Sequence, residues 1–287
     1  MDVDRLHRRR RRWKERLMTV LIYLSVLVAL LPLFSILIYV AIKGIGALNW
    51  DFFVRLPGPV GDPHAGMANA IVGTLELLLV AAAVGLPIGI LAGIYLAEFG
   101  GHGLFSNSVR FLADVLSGVP SIVIGIFAYA LMVLPVKHFS GWSGGVALGI
   151  MMIPVVTRTT EELIRMVPRS LREAGLALGV PRWRVTVSIV LRTAAGGLTT
   201  GAMLALARVA GETAPLLFTA FGNRYWHRSL NEPVAALTLQ IYQYAISAFE
   251  DWQRQAWGAA FVLIIMVLIL NILARLGTRS KFSTQQE

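Results

Sequence analysis

The sequence contains no cysteine. That absence excludes disulfides, thiolate metal sites, iron–sulfur clusters and a cysteine nucleophile. Charge is scarce as well: 15% of the 287 residues are Asp, Glu, Lys or Arg, while 56% are hydrophobic. Soluble domains carry about a quarter charged residues, so the chain is short of the charge that a water-facing surface requires. Composition points to a bilayer and removes most soluble enzyme classes. Lysine is rare, four against 22 arginines. A phosphate-binding P-loop requires Gly-x4-Gly-Lys-Ser/Thr, but these lysines follow Trp13, Ile42, Val136 and Ser280. No Gly-Lys pair exists. The histidines (His7, His64, His102, His138, His227) are dispersed, which argues against a metal site. An intramembrane hydrolase would need a convergent Ser/His/Asp or two-carboxylate arrangement, and none is legible.

What the sequence has in quantity is apolar length. A membrane crossing takes about 20 mostly apolar residues, and six stretches qualify: 17–42, 77–97 (its helix starting earlier, near Asn69), 115–136, 139–157, 193–223 and 256–274. The fifth is interrupted, apolar over 193–207 and again over 213–223, with Arg208 and Glu212 between. The net charge of +10 fits either nucleic acid or the cytoplasmic bias of a membrane protein. Position decides between them. Arg5, Arg8, Arg9, Arg10, Arg11, Arg12, Lys14 and Arg16 crowd the tail just before the first span. They place the N-terminus in the cytoplasm, against anionic headgroups of membrane lipid rather than nucleic acid.

With six crossings the C-terminus is also inside, beside Arg275, Arg279 and Lys281. The loop between spans four and five is then cytoplasmic, with Arg158, Arg165, Arg169, Arg172, Arg182, Arg184 and Arg192. Nineteen of the 26 basic residues fall on that side, six outside, and Arg208 within the membrane. The first run is too long for a signal-peptide core, and no small-x-small site precedes Lys43, so it reads as a retained helix. The expected architecture is an all-α membrane protein of six transmembrane helices with both termini cytoplasmic. It divides into a basic tail (1–16), a first helix and external loop (17–68), the main transmembrane domain (69–276) and a second tail (277–287).

Residues 168–192 read PRSLREAGLALGVPRWRVTVSIVLR, which predicts two short helices around a hinge. Ser170 and Glu173 have the spacing of a capping box. Gly179 suits a C-terminal cap, and Pro181 suits the first turn of a second helix. Leu171, Ala174, Leu178 and Val180 would be left exposed on such an elbow, and they need a partner to cover them. The order Glu173-Ala174-Gly175, three residues, Gly179, nine residues, Ile189-Val190-Leu191 resembles the "EAA" coupling motif of permease subunits of ATP-binding-cassette (ABC) importers. Gly175 stands where the family usually has a second Ala, and Arg192 where it has Pro. The resemblance implies a type I ABC importer permease fold. It also implies that Glu173, Ala174, Gly175, Gly179, Ile189 and Leu191 dock the loop into a cytoplasmic ATPase and transmit its closure. ATP and Mg would be used by that ATPase, with no cofactor bound and no reaction catalysed by this chain.

An arginine at mid-span costs about 2.5–3.5 kcal/mol on the insertion scale and marks a functional candidate. If span five starts near Thr193, Arg208 lies ~22 Å along it, with Glu212 one turn on and on the same face. Arg158 ends span four, in its inner half or at the boundary. One reading is structural: Arg208 and Glu212 neutralise each other, and Arg158 snorkels to the interface. The other is an anion pathway, because guanidinium groups bind phosphate-like oxyanions bidentately and never deprotonate.

The local text resembles one branch of the family. Pro154-Val-Val-Thr-Arg-Thr-Thr-Glu161, Ala207-Arg-Val-Ala-Gly-Glu-Thr-Ala-Pro-Leu-Leu-Phe-Thr-Ala220 and Gly118-Val-Pro-Ser-Ile-Val-Ile-Gly125 are similar to the A-type permease subunit of the high-affinity phosphate importer (PstA-type). So are Trp252-Gln-x-x-Ala256-Trp257 and Leu270-Asn-Ile-Leu-Ala-Arg275, and the likeness runs over about residues 69–276. It implies a phosphate pathway at Arg158, Arg208 and Glu212. The implied partners are a homologous permease subunit (PstC-type), two ATPase subunits (PstB-type) and an extracytoplasmic phosphate-binding protein (PstS-type). The implied location is the cytoplasmic membrane, the inner one in a Gram-negative cell. Phosphate keeps a proton at neutral pH whereas sulfate does not, so Glu212 could accept that hydrogen bond and repel a bare dianion. An importer of another oxyanion and a non-transporting anchor or sensor scaffold are the alternative readings.

Ala81, Gly85, Gly89 and Gly93 form a small-residue face at four-residue spacing, and Gly197, Gly201 and Ala205 form a second. Both predict close helix packing. Pro120 frees a carbonyl inside the third span, and the hydroxyls of Ser117 and Ser121 either satisfy it or line a cavity. Glu76 and Asp114 read as helix-end polarity without a role. Residues 224–255, with Tyr225, Trp226, Tyr242, Tyr244 and Trp252, are either an interfacial aromatic belt or a docking surface for the binding protein.

Overall fold

The computed structural model describes residues 2–101 and 103–282, with side chains from 11 to 276 except His102. His7, Arg5, Arg8, Arg9, Arg10, Arg279, Lys281 and residues 283–287, on which the expected tails rest, lie outside the described side chains. The described chain is helical: α1 (Asp2–Ile45), α2 (Trp50–Val54), α3 (Ala68–Phe99), α4 (Leu104–Gly118), α5 (Ser121–Val136) and α6 (Gly141–Arg165) come first. Then follow α7 (Arg169–Ala177), α8 (Arg182–Ala210), α9 (Ala214–Thr219), α10 (Leu237–Ala245) and α11 (Glu250–Phe282). Single π-helical turns at Tyr95–Phe99, Tyr129–Val133 and Thr186–Val190 lie within α3, α5 and α8.

The central contact joins α3 to α6, and the small-residue face makes it. A Cβ built on Gly85 would lie 2.8 Å from that of Met152, on Gly89 2.7 Å from that of Val156, and on Gly93 2.5 Å from that of Thr160. From the other side, Gly145 and Gly149 of α6 admit Val80 and Val84. Lipid tails are as apolar as leucine, so close backbone approach and dispersion hold such helices together. The pairs advance in step along both helices, so α3 and α6 run parallel. α8 runs antiparallel to α6, with Gly197 against Leu163 and Gly201 against Thr159.

Parallel neighbours in one chain require a return leg. α5 provides it, its Gly125 packed on Pro215 beside α9. One end of the bundle closes around Phe52, Met67, Ala70, Leu237, Tyr244 and Ala256, the other around Ile94, Ile164, Val167, Val190 and Ala194. We call the second the elbow end. α1 touches α11 through its last turns, with Tyr39 edge-on to Trp257 at 5.1 Å and Gly44 pressed on Phe261. Most of its apolar length is exposed. Near Trp50–Val54 the His64 ring hydrogen-bonds Asp51 at 2.5 Å, which with Arg55 holds that carboxyl below its ordinary 3.8. Its contribution is complete above that value and is lost as the pH falls through the lowered one.

Three expectations change. Among the described residues four helices are long and apolar enough to cross a membrane, Arg11–Ile45, Ala68–Phe99, Arg182–Ala210 and Glu250–Leu276, or five if a bent pair counts as one span. The bent pair is α4 and α5, turned by 106°. The stretch 115–136 is therefore not one straight helix. Pro120 lacks an amide hydrogen and keeps Val119 extended (φ −70°, ψ 132°), so α4 ends at Gly118. Ser117 Oγ meanwhile bonds the Ala113 carbonyl. α4 is amphipathic, Leu104, Phe105, Phe111 and Leu112 outward and Arg110 inward, as for a helix lying along an interface. Second, the elbow's second helix is not short: it continues from Arg182 to Ala210. Third, residues 213–223 do not resume that span; they form the short α9 and a turn joined by a bridge between Phe221 and Val234. α6 carries Arg158, Glu161, Glu162 and Arg165 in its last turns, and is not among the four apolar helices.

Filling the α3–α6 contact should be costly. Gly89→Leu is expected to destabilise the purified protein by about 1–3 kcal/mol through overpacking, seen as a lower thermal midpoint in detergent. Gly118→Ala, where a Cβ would meet nothing within 4 Å, should leave that midpoint in place.

Candidate functional site

At the elbow end the bundle buries two carboxylates. Glu161 on α6, its side chain 1% exposed, receives Arg110 Nε at 2.7 Å, Arg158 Nη1 at 2.9 Å and Arg165 Nη2 at 2.6 Å. Arg158 and Arg165 reach it from three residues before and four after, the helix's own neighbour spacing; Arg110 arrives from α4. Arg158 also places Nε 2.8 Å from Asp114 Oδ1. A lone buried carboxylate would be strongly disfavoured, and three guanidinium partners offset that cost. Asp114 is thus an ion-pair partner and not mere helix-end polarity. Glu76 likewise lies 2.6 Å from His227 Nε2, tying the 221–236 segment to α3.

The second buried carboxylate, Glu98, sits on the π-helical turn that ends α3. It accepts from Arg172 Nε at 2.8 Å and lies 2.7 Å from Nη2. The same guanidinium donates to the carbonyls of Val167 at 2.6 Å and Ile164 at 2.7 Å at the end of α6, where Ile164 O also accepts from Val167 N at 3.2 Å. Arg182 donates to the Glu98 carbonyl and lies over the Phe99 ring. Arg172 and Arg182 therefore anchor the elbow to α3 and α6.

Within the elbow, Gly179 takes φ +76°. Its amide donates to Leu176 O at 2.9 Å, and that of Val180 donates to Gly175 O at 3.3 Å. This is the paired closure of a Schellman cap, which an L-residue with a Cβ resists. Gly175 is buried, and a Cβ there would lie 2.9 Å from Ile189 Cδ1 and 3.0 Å from Val185 Cγ2. Both are side-chain ends, so the family's usual Ala would fit with a small shift. Leu191 packs with Val190 and Ile164. Glu173 and Ala174 are exposed, as are Leu171 and Leu178. The capping box does not form: α7 starts at Arg169 after an extended Pro168, two residues too early for Ser170 to cap it.

Arg208 and Glu212 do not pair. α8 ends at Ala210 and Gly211 caps it, so the one-turn relation that would have joined them is lost. Glu212 instead lends its carbonyl to Thr238 Oγ1 at 3.1 Å. The antiparallel register with α6 sets Arg208 about level with Met152, near the middle of Gly141–Arg165. Its side chain is exposed on the outside of the bundle and, among the described residues, has no ion-pair or hydrogen-bond partner. Arg158 lies about 9 Å nearer the elbow end at ~1.5 Å per residue and is held by Glu161 and Asp114. The structure thus separates the three pathway candidates: one belongs to an ion-paired cluster, and two stand at mid-bundle without each other.

Residues 85–279 match the family described as binding-protein-dependent transport system inner membrane component. The chain is 47% identical over 267 residues to the phosphate transport system permease protein PstA of Pasteurella multocida, covering 93% of this chain and 95% of that one. It is 44% identical to that of Yersinia pestis, covering 92% and 90%. To a probable one of Methanocaldococcus jannaschii it is 35% identical, covering 93% and 94%. The chain belongs to the PstA family.

Solved structures agree on the fold. An importer of the acidic polysaccharide alginate superposes with TM-score 0.63 at 14% identity, covering 95% of this chain and 99% of that one. The inward-facing MetNI methionine ABC transporter gives 0.61 at 19%, covering 75% and 96%. The PstA-family chain is thus an all-helical, multi-pass membrane protein with an ABC permease fold, a transport subunit and not an enzyme. Of the functional geometry, sequence reasoning missed Glu161, Glu98, Arg110 and Arg172. The available signal was charge balance: Glu98 and Glu161 are acids at the ends of apolar runs, each needing an arginine.

Replacing Glu161 should show how much this cluster matters. Glu161→Gln leaves Arg110 and Arg158 short of a counter-charge and is expected to cost about 3–5 kcal/mol. Arg165→Gln removes a half-exposed partner and should cost at most about 1 kcal/mol. Thermal unfolding of the two variants in the same detergent would rank them.

Proposed function

We propose that this chain is the permease subunit of an ATP-driven importer that moves inorganic phosphate into the cytoplasm. Arg208, unpaired at mid-bundle level on the outer surface, carries the assignment of a pathway. A guanidinium cannot face hydrocarbon without large cost, so that surface must meet a second subunit around a polar passage. The identity of the relatives supplies the cargo. Arg208 offers the oxyanion two parallel donors, and Glu212, four residues on past the helix end, tempers the attraction and accepts the proton of hydrogen phosphate. Arg158, with its charge shared among carboxylates, serves as the inner station of the same route.

The alternating legs α1, α3, α5, α6, α8 and α11 then make six crossings, with both termini and the elbow in the cytoplasm. α6 is the crossing whose charges are neutralised inside the bundle. The arginine-rich elbow fits the positive-inside rule. The other pathway wall is a PstC-type permease, and two PstB-type ATPases use ATP and Mg. One of them engages Glu173, Ala174, Gly175, Gly179, Ile189 and Leu191. A PstS-type protein delivers phosphate at the opposite face, in the cytoplasmic membrane of the cell. The exposed apolar edge of Leu171, Ala174 and Leu178 is the surface the ATPase covers.

In a reconstituted complex, Arg208→Ala should abolish labelled phosphate flux while subunit assembly persists; normal flux would remove Arg208 from the pathway. Glu212→Gln should alter release and the discrimination between phosphate, arsenate and sulfate. Gly179→Leu, strained at φ +76°, should lower both flux and flux-coupled ATPase activity. Loss of ATPase recruitment alone would instead indicate a scaffold.

A further inference from the structure

Between the end of α3 and the elbow lies an open cavity of about 510 Å³, within the ~300–1,000 Å³ of small-molecule sites. Four arginines line it, Arg165, Arg169, Arg172 and Arg182, against two carboxylates, Glu98 and Glu173. Their donors are unequally used. Arg172 is spent on Glu98, Val167 and Ile164. Arg182 spends Nη2 on the Glu98 carbonyl, and Arg165 spends Nη2 on Glu161, so each keeps further N–H groups for a ligand. Arg169 has no ion-pair or hydrogen-bond partner among the described residues. Glu98 is already satisfied, so the cavity keeps an excess of positive charge with unfilled guanidinium donors.

At about 100° per residue, Arg169, Arg172 and Glu173 share one face of α7, while Leu171, Ala174 and Leu178 lie on the opposite one. An occupant of the cavity and a protein covering the apolar edge would meet at Glu173 on the rim, with Arg165, Arg169 and Arg182 left to the occupant. The lining spans the joint between bundle and elbow: Arg165 belongs to α6, Arg169 to α7 and Arg182 to α8.

We propose that this cavity binds a phosphate oxyanion from the elbow side. The site is separate from Arg208, and occupancy pins the elbow to the bundle and slows the transport cycle. Guanidinium forks suit phosphate oxygens, and Glu173 at the rim can accept from a protonated one. The same chemistry is offered by free inorganic phosphate and by the phosphate of an anionic lipid headgroup. The elbow's cytoplasmic position rests on the proposed function above.

The test uses the full importer complex in phosphatidylcholine vesicles with the ATPases facing the bath and the loaded binding protein inside. Phosphate release and ATP turnover are followed as inorganic phosphate in the bath is raised, with sulfate and chloride as controls. Wild type should slow, and Arg169→Gln should need about tenfold more phosphate for the same slowing, the worth of one charge-assisted contact. Arg169→Lys should fall between them. If the lipid is the occupant, wild type is slow in phosphatidylglycerol vesicles whatever the bath phosphate, and Arg169→Gln relieves it. Identical curves for wild type and Arg169→Gln in both lipids would overturn the proposal. The thermal midpoint of the complex separates this from the phosphate pathway: phosphate should raise it more in Arg208→Ala than in Arg208→Ala/Arg169→Gln, even though neither transports.

Discussion

The approach of α3 to α6 through facing small residues is the constraint on which the rest of the structure depends. Gly85, Gly89 and Gly93 let the two backbones lie close and parallel over several turns. In a solvent that gives helices no hydrophobic reason to associate, such contact is the main source of cohesion. A parallel pair demands a return leg between them, which α5 supplies. It also brings the ends of α3 and α6 together, so that Glu98 and Glu161 lie near one another at the elbow end. Bulk at Gly85, Gly89 or Gly93 would push the two helices apart and disturb the joints that cross between elements, Arg110 to Glu161 and Arg172 to Glu98.

The charges then divide by environment. Where the helices end, acids and bases pair: three arginines on Glu161, one on Glu98, and Asp114 on Arg158. Paired in this way they become joints, fixing α4, α6 and the elbow as one unit. Arg208 is treated differently. The helix that carries it stops two residues later, and Glu212 is carried off by the turn, so its guanidinium keeps its donors free. A neutralised arginine holds structure; one left unpaired at mid-depth can hold cargo. Arg172 shows that a single guanidinium can also do two structural jobs, pairing Glu98 and closing the carbonyls of α6.

Much of this was legible in the residues. The four-residue spacing of Ala81, Gly85, Gly89 and Gly93 marked the face that packs, and Gly179 marked the left-handed cap. The elbow motif could be read at full length because it is local, set by caps and turn residues that act over a few positions. The straight third span was misread because hydropathy is blind to direction: residues 115–136 are apolar throughout, yet Pro120 turns the axis by 106°. The capping box failed because Ser170 and Glu173 have the right spacing while Pro168 caps the helix two residues too soon.

The sequence by itself determined the solvent, the apolar legs, the small-residue faces and the elbow, since each depends on composition or on neighbours a turn apart. Only the tertiary structure decided which charges are partners. Arg110 and Glu161 are 51 residues apart, Glu98 and Arg172 are 74 apart, and no periodicity links positions on different helices. Electrostatic pairing depends on distance in space and on exclusion of water. That geometry is why Arg158 ends in an ion-paired cluster and Arg208, of the same chemistry, does not.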